Sequence, residues 1–150
     1  MRKMSFLVLL LVAGHANGLD QQQAEKVAKV REAVMTVVGW NVAPMAAMAK
    51  EELPYDAAEF EKRAKRIAEM LAMTTDAFRP DTRDAVLDTE SLDVIWEDFD
   101  EFRRLAGEAR DKARAAEMVA GTGDFAQVQA AFLELGKACK ACHERFREED

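Results

Sequence analysis

Apolar residues recur at three- and four-residue steps along four stretches of this 150-residue chain. That spacing places them on one face of an α-helix, and the alternation typical of strands is nearly absent. The chain has only seven glycines and three prolines, so long uninterrupted helices are expected. The predicted helices cover residues 21–50, 56–73, 91–120 and 124 to near the C-terminus, with a polar crossover at 74–90. This pattern predicts an all-α fold, an antiparallel four-helix bundle.

Short polar side chains predict where the later helices begin. Asp56, Ser91 and Asp124 each precede an apolar helical stretch. Their oxygens can accept hydrogen bonds from backbone N–H groups of the first turn, which have no partner within the helix. Glu59, three residues after Asp56, extends that start into a pattern resembling a capping box.

Both cysteines of the chain lie near its C-terminus, and a histidine follows the second. The order is Cys139-Lys140-Ala141-Cys142-His143. On a helix, side chains three and four residues apart face the same way, so both thiols and the imidazole project toward one object. Two thiols can add to the vinyl groups of a porphyrin while the imidazole binds its iron. The pattern therefore predicts one covalently attached haem c, with His143 as an iron ligand.

Two other uses of a Cys-x-x-Cys pair fit this chain less well. A thiol redox pair is typical of a helix N-terminus in a βαβ unit, whereas Cys139 and Cys142 lie inside the last helix of an all-α chain. A structural zinc ion needs four ligands, and these two cysteines with His143 supply three unless a carboxylate joins them. Haem attachment is the favoured interpretation.

The first eighteen residues have the composition of a secretory signal peptide. Arg2 and Lys3 precede an apolar stretch at residues 6–13, and small residues follow up to a cleavage site after Gly18. The apolar stretch is shorter than the roughly 20 residues that a membrane-spanning helix needs. We therefore expect a cleaved signal peptide at 1–18, a four-helix domain at 19–150, and export to the periplasm without a membrane span.

Removal of this leader leaves an acidic protein with one histidine. Loss of Arg2 and Lys3 changes the formal net charge from −7 to −9, and His15 leaves with the leader. An acidic surface is a poor match for nucleic acid, whose phosphates require clustered Lys and Arg. Protein partners are instead expected to present basic surfaces.

A haem motif at the end of a four-helix chain resembles the class II cytochromes c, the cytochrome c-prime family. Residues 136–147, which contain the cysteine motif, look very like that family's ending. Ile95-Trp96 in the third helix and residues 46–50 before the first turn also match. The resemblance extends over the whole mature sequence, and it implies a four-helix bundle with one haem.

The resemblance also implies roles for residues at the haem edge and face. Arg31 falls where the family places a propionate-binding arginine, and Met35 where it places the residue on the distal haem face. Arg31 and Met35 are four residues apart, as are His143 and Arg147, so each pair shares a helical face. Guanidinium groups form paired, charge-assisted hydrogen bonds with carboxylates such as haem propionates. The alternative for Arg31 and Arg147 is a solvated surface position.

Met35 decides between two functions. A thioether is a competent iron ligand, and His/Met ligation suits outer-sphere electron transfer. We therefore predict a periplasmic monohaem cytochrome, not an enzyme, that carries single electrons between redox partners with His143 and Met35 as axial ligands. In the alternative, Met35 only packs over the iron, and a five-coordinate haem binds nitric oxide or other small gases. The resemblance further suggests a homodimer formed through the first two helices.

Overall fold

The computed structural model describes residues 19–148. Its helices are α1 (Gln21–Ala49), α2 (Ala57–Phe78), α3 (Val94–Glu97), α4 (Phe99–Val119) and α5 (Phe125–Phe146). Outside the helices, an isolated β-bridge joins Ser91 and Arg147. The predicted all-α fold is confirmed, with four long helices and one single-turn helix across the described range. The predicted signal peptide at 1–18 lies outside the described residues.

An aspartate begins each long helix. The side chains of Asp20, Asp56, Asp98 and Asp124 accept hydrogen bonds from the backbone N–H groups of Gln23, Glu59, Glu101 and Gln127. In α1 the Gln23 side chain also accepts from the Asp20 N–H, which completes a capping box. These bonds satisfy donors that lack an intrahelical partner, and they confirm the predicted caps at Asp56 and Asp124.

Two predicted boundaries are wrong. α2 continues to Phe78 instead of ending at residue 73, because Thr74 and Phe78 extend its buried face by another turn. The third long helix begins at Phe99, after the single-turn α3, and not after a cap at Ser91. Ser91 has a different role, since it pairs with the C-terminal end of α5 through the bridge to Arg147.

Each long helix runs antiparallel to its neighbours in the order α1, α2, α4 and α5. α1 packs along α2, α2 along α4 and α4 along α5, whereas α1 and α5 meet over only a short part of their length. The hydrogen bond from Arg31 Nε to Ala77 O joins the first half of α1 to the end of α2. At the opposite end, the Tyr55 hydroxyl donates to Ala120 O, which joins the start of α2 to the end of α4.

Two apolar clusters fill the bundle, and each contains residues from several helices. The central cluster includes Met45, Phe60, Ile67, Val128 and Leu135. The aromatic cluster consists of Phe78, Ile95, Phe102, Leu105 and Phe146. Burial of one such side chain contributes about 1.5–3 kcal/mol, so these clusters hold the helices together. Within the described part of the chain, no helix has the length and apolarity needed to cross a membrane.

Residues 79–93 cross the end of the bundle where α1 begins and α5 ends. The side chain of Gln21 donates to Val86 O at 2.9 Å and accepts from Val86 N at 3.2 Å. Farther along, Leu92 N donates to Phe146 O at 3.1 Å, and Glu148 N donates to Glu90 O at 2.8 Å. The crossover is therefore attached to the first turn of α1 and to the chain that leaves α5.

Candidate haem-binding site

The last turns of α5 carry the cysteine motif. Because α5 extends to Phe146, Cys139, Cys142 and His143 all belong to a regular helix. Both thiols are free and half-buried. Cys139 packs against the central cluster and Cys142 against the aromatic cluster. The two sulfur-bearing side chains thus lie on the inner side of the helix, as a bound porphyrin requires.

The environment of the thiols disfavours the two alternative uses of this motif. Burial raises the pKa of Cys139, and burial with the neighbouring Cys139 raises the pKa of Cys142 to about 11. Both thiols are therefore protonated at neutral pH, whereas a thiol redox pair needs a thiolate stabilised by a lowered pKa. For zinc, residues 19–148 contain no group of three or more His, Cys, Asp or Glu side chains placed to hold an ion.

Met35 of α1 and His143 of α5 lie at the same level of the bundle, as a contact farther along these two helices indicates. Gln129 Nε2 donates to Ala49 O at 2.7 Å and joins the two helices at one end. Met35 lies fourteen residues before Ala49, and His143 lies fourteen residues after Gln129. Since both helices rise equally per residue and run antiparallel, Met35 and His143 are at the same level. Met35 is half-buried and, like Cys142, packs against the aromatic cluster.

The surface of α5 beside the motif has room for a flat group. Gly136 lies one turn before Cys139 on the same face of α5, and a Cβ added there would meet no atom within 4 Å. A groove of about 420 Å³ along this face is lined by Gly136, Cys139, Lys140, His143, Glu144, Arg147 and Glu148. Open space beside the Cys139 thiol and the His143 imidazole fits a porphyrin attached to α5.

His143 is suited to bind a metal ion. The residue is exposed, yet partial desolvation by the surrounding protein and the charge of Arg147 lower the pKa of the imidazole, and Glu90 acts in the opposite direction. The neutral imidazole is the form that coordinates metals. Iron ligation by His143 stays a prediction.

The two arginines predicted to bind propionates have different surroundings. Arg31 is only 2% exposed, so a solvated surface position is wrong for this residue. Its guanidinium donates hydrogen bonds to the last turn of α2 and to the segment that follows it. Arg147 is partly exposed, and its Nε donates to Glu90 at 2.5 Å. Contact with a haem propionate stays a prediction for both arginines.

Two residues beside Arg31 were not identifiable as site residues from the sequence. Phe78 places its ring 5.1 Å from the guanidinium carbon, and Thr82 accepts a hydrogen bond from Nη1 at 2.9 Å. Both lie in the stretch 74–90, whose polar composition favours an exposed crossover. The burial of Phe78, though not its contact with Arg31, was predictable, because Phe78 continues the spacing of Leu71 and Thr74 on the buried face of α2.

Known proteins resemble this chain over nearly its full length. A family model described as Cytochrome C' matches residues 26–147. Cytochrome c-554 of Cereibacter sphaeroides is 33% identical over 146 residues, which cover 96% of this chain and 95% of that protein. Cytochrome c' of the same organism is 34% identical over 143 residues, which cover 94% and 95%. A solved nitric oxide complex of a variant of cytochrome c prime from Alcaligenes xylosoxidans has a TM-score of 0.75 at 27% identity, covering 85% of this chain and 97% of that one.

These matches contradict the prediction of an electron carrier. The matched family has a five-coordinate haem that binds gases, so the predicted electron carrier with Met35 as a second axial ligand beside His143 is wrong. The error has a physical origin. A flexible thioether fills apolar space as readily as it binds iron, and Met35 packs against the aromatic cluster. The sequence pattern around Met35 is the same whether the side chain binds iron or only packs in the apolar cluster.

Proposed function

This chain belongs to the cytochrome c-prime family, and from that membership we propose that it binds nitric oxide or another small uncharged gas at a five-coordinate haem. The predicted family, bundle and single covalent haem c are confirmed. One observation carries the proposal: Met35, level with His143, packs against the aromatic cluster. The space opposite the predicted iron ligand is therefore apolar, which suits a small uncharged ligand.

The residues of the site would have separate tasks. Cys139 and Cys142 would form the thioether bonds, and His143 would bind the iron from one side. When bound, the haem supplies an iron with one open coordination position for the gas. Met35 and the aromatic cluster would keep water and larger ligands away from that position.

The coordination state of the purified haem protein tests this function. We expect high-spin absorption and electron paramagnetic resonance spectra in the ferric form, and a high-spin absorption spectrum in the ferrous form. Carbon monoxide and nitric oxide should each bind the ferrous protein without displacing a protein ligand on the Met35 side. A low-spin spectrum in both oxidation states, with no gas binding, would contradict the proposal.

Truncation of Met35 should make the open position easier to reach. In Met35→Ala we expect a spectrum that stays high-spin and a carbon monoxide association rate that rises about tenfold or more, because a large side chain over the site is replaced by a cavity. Flash photolysis of the ferrous protein measures the rate.

Two variants serve as controls for Met35→Ala. Met35→Leu nearly conserves the side-chain volume, so its rate should stay within about threefold of the unsubstituted protein. Met118 is 74% exposed, and Met118→Ala should have no effect on the rate. A change from low-spin to high-spin in Met35→Ala would mean that the thioether binds iron after all.

We also infer that residues 1–18 are removed on export to the periplasm. Cleavage after Gly18 would leave Leu19 as the first residue, immediately before Asp20, the N-cap of α1. The mature chain would thus retain the capping box that begins the bundle. Intact mass and N-terminal sequencing of protein from the periplasmic fraction should give Leu19 as the first residue. A retained leader would contradict this inference.

We further infer a homodimer in which the outer face of α1 and α2 is covered. Val30, Val37 and Trp40 lie on one outer stripe of α1 and are 50%, 40% and 61% exposed. Arg63 of α2 contacts the Trp40 ring, with its guanidinium carbon 5.2 Å from the ring centroid, so the stripe borders α2. Exposed apolar side chains grouped on one face are typical of a protein interface.

Replacing Trp40 should separate such a dimer. Trp40→Glu would place a charge at the centre of an apolar contact, and we expect the dissociation constant to rise at least about tenfold. Light scattering during size-exclusion chromatography over a range of concentrations measures the change. Leu133 on α5 is 58% exposed, and Leu133→Glu is the matched control that should leave the molar mass unchanged. A monomeric unsubstituted protein would contradict the dimer.

A further inference from the structure

Arg31 is a buried cation whose hydrogen bonds all go to the segment at the end of α2. Nε donates to Ala77 O at 3.1 Å, Nη2 to Pro80 O at 2.5 Å and Nη1 to Thr82 Oγ1 at 2.9 Å. The residue is 2% exposed, and Thr82 is 5% exposed. One side chain of α1 thus bonds to three residues between the last turn of α2 and the start of the crossover.

Two aromatic rings complete the surroundings of Arg31. Its guanidinium carbon lies 5.1 Å from the centroid of Phe78 and 4.8 Å from that of Trp96. Trp96 Nε1 in turn donates to Phe78 O at 2.9 Å. A planar cation attracts the faces of aromatic rings, and this attraction strengthens away from water. Arg31 therefore contacts two aromatic side chains that come from different helices.

A chain of ring contacts joins Phe78 to the rest of the aromatic cluster, against which Met35 and Cys142 pack. Phe78 contacts Phe102 at a centroid distance of 5.0 Å, and Phe102 contacts Phe146 at 5.3 Å. Phe146 follows the cysteine motif on α5, and Met35 packs against the same cluster one turn after Arg31. A shift of Phe78 or Trp96 would therefore change the packing around Met35.

We propose that Arg31 is a positioning residue that fixes Phe78 and Trp96 through its bonds to residues 77–82, and thereby limits the access of a small gas to the Met35 side of the haem. The proposal rests on the proposed function, since it concerns entry to the same site. It differs from the expected role of Arg31, because three of its N–H groups are already bonded, one to the last turn of α2 and two to the crossover.

The geometry of guanidinium explains why lysine should not replace Arg31. The three acceptors lie around a planar fork with several donors, which an ammonium group at the end of a flexible chain does not reproduce. Arg31→Met removes the charge and the donors while keeping an apolar stem of similar length. Thr82→Val removes only one acceptor and nearly conserves shape, so it is the variant least at risk of failing to fold.

Two measurements test the proposal on haem-loaded protein. We expect the carbon monoxide association rate to rise about tenfold in Arg31→Met and Arg31→Lys and by a few-fold in Thr82→Val, because a loosened wall opens the pocket. Hydrogen exchange in the peptide covering residues 77–86 should accelerate by a similar factor, because the hydrogen bonds from Arg31 no longer restrain this segment. Arg114→Lys, an exposed change on α4, should alter neither quantity.

The outcomes separate this proposal from the proposed function. Faster exchange with an unchanged or lower association rate would overturn the role of Arg31 in access. An Arg31→Lys protein that behaves like the unsubstituted one would overturn the role of the three Arg31 hydrogen bonds in positioning Phe78 and Trp96. A low-spin unsubstituted protein that binds no carbon monoxide would refute the proposed function, and the proposal with it. Unsubstituted protein that binds the gas, with variants of unchanged rate, would refute the proposal alone.

Discussion

Replacing Cys139 and Cys142 together by serine is expected to abolish covalent haem attachment completely. Both thiols are free and half-buried on the inner side of α5, and a serine hydroxyl forms no thioether bond with a porphyrin vinyl group. The intact mass should fall to that of the bare polypeptide, and the purified protein should lose its visible absorption. Far-UV circular dichroism of the variant reports whether the helices still form.

The motif itself supplies a matched control for this experiment. Lys140 lies between the two cysteines and is exposed, so Lys140→Ser should retain the haem at an unchanged level. Each single cysteine variant should keep at most one thioether bond. Haem that stays attached to the double variant after denaturation in acid would contradict the assigned attachment site.

Truncation of Phe60 is expected to lower the free energy of unfolding by about 3–5 kcal/mol. Phe60 is fully buried in the central cluster, where its ring centroid lies 5.8 Å from Tyr55 and 6.2 Å from Phe132. Phe60→Ala would leave a cavity between α2 and α5 and remove both ring contacts. Urea denaturation followed by far-UV circular dichroism measures the loss.

An exposed apolar residue on α5 calibrates the Phe60 experiment. Leu133 is 58% exposed, so Leu133→Ala should change the free energy of unfolding by less than about 0.5 kcal/mol. If Phe60→Ala lost no more stability than Leu133→Ala, the central cluster would not be a main source of the stability of the bundle. The haem spectrum of both variants should remain that of the unsubstituted protein, since neither residue belongs to the aromatic cluster.

Local chemistry made most of the fold predictable. The periodic apolar stripes identified the four long helices, and Asp56 and Asp124 marked two of their starts because a cap acts within one turn. The end of α2 and the start of α4 depend on long-range contacts. Phe78 extends α2 because it packs on Phe102, a residue far away in the sequence.

The candidate site was predictable where spacing alone sets the geometry. The cysteine motif encodes its own geometry on a helix, so its residues could be assigned without the fold. The role of Met35 could not, because iron ligation and apolar packing require the same side chain in the same stripe. The surroundings of Arg31 depend on how the crossover folds back onto α1, which no local pattern determines.

The expectation of basic protein partners stays a prediction.

Side chains close three seams of the bundle, whereas α1 and α5 meet over only a short part of their length. A haem bound between these two helices would supply packing there that the protein side chains supply at the other three seams. Substitutions on the face of α1 toward α5 would consequently change which ligands reach the haem without weakening the packing of α2 on α4 or of α4 on α5. Ligand selectivity and the stability of the bundle would then depend on separate sets of residues.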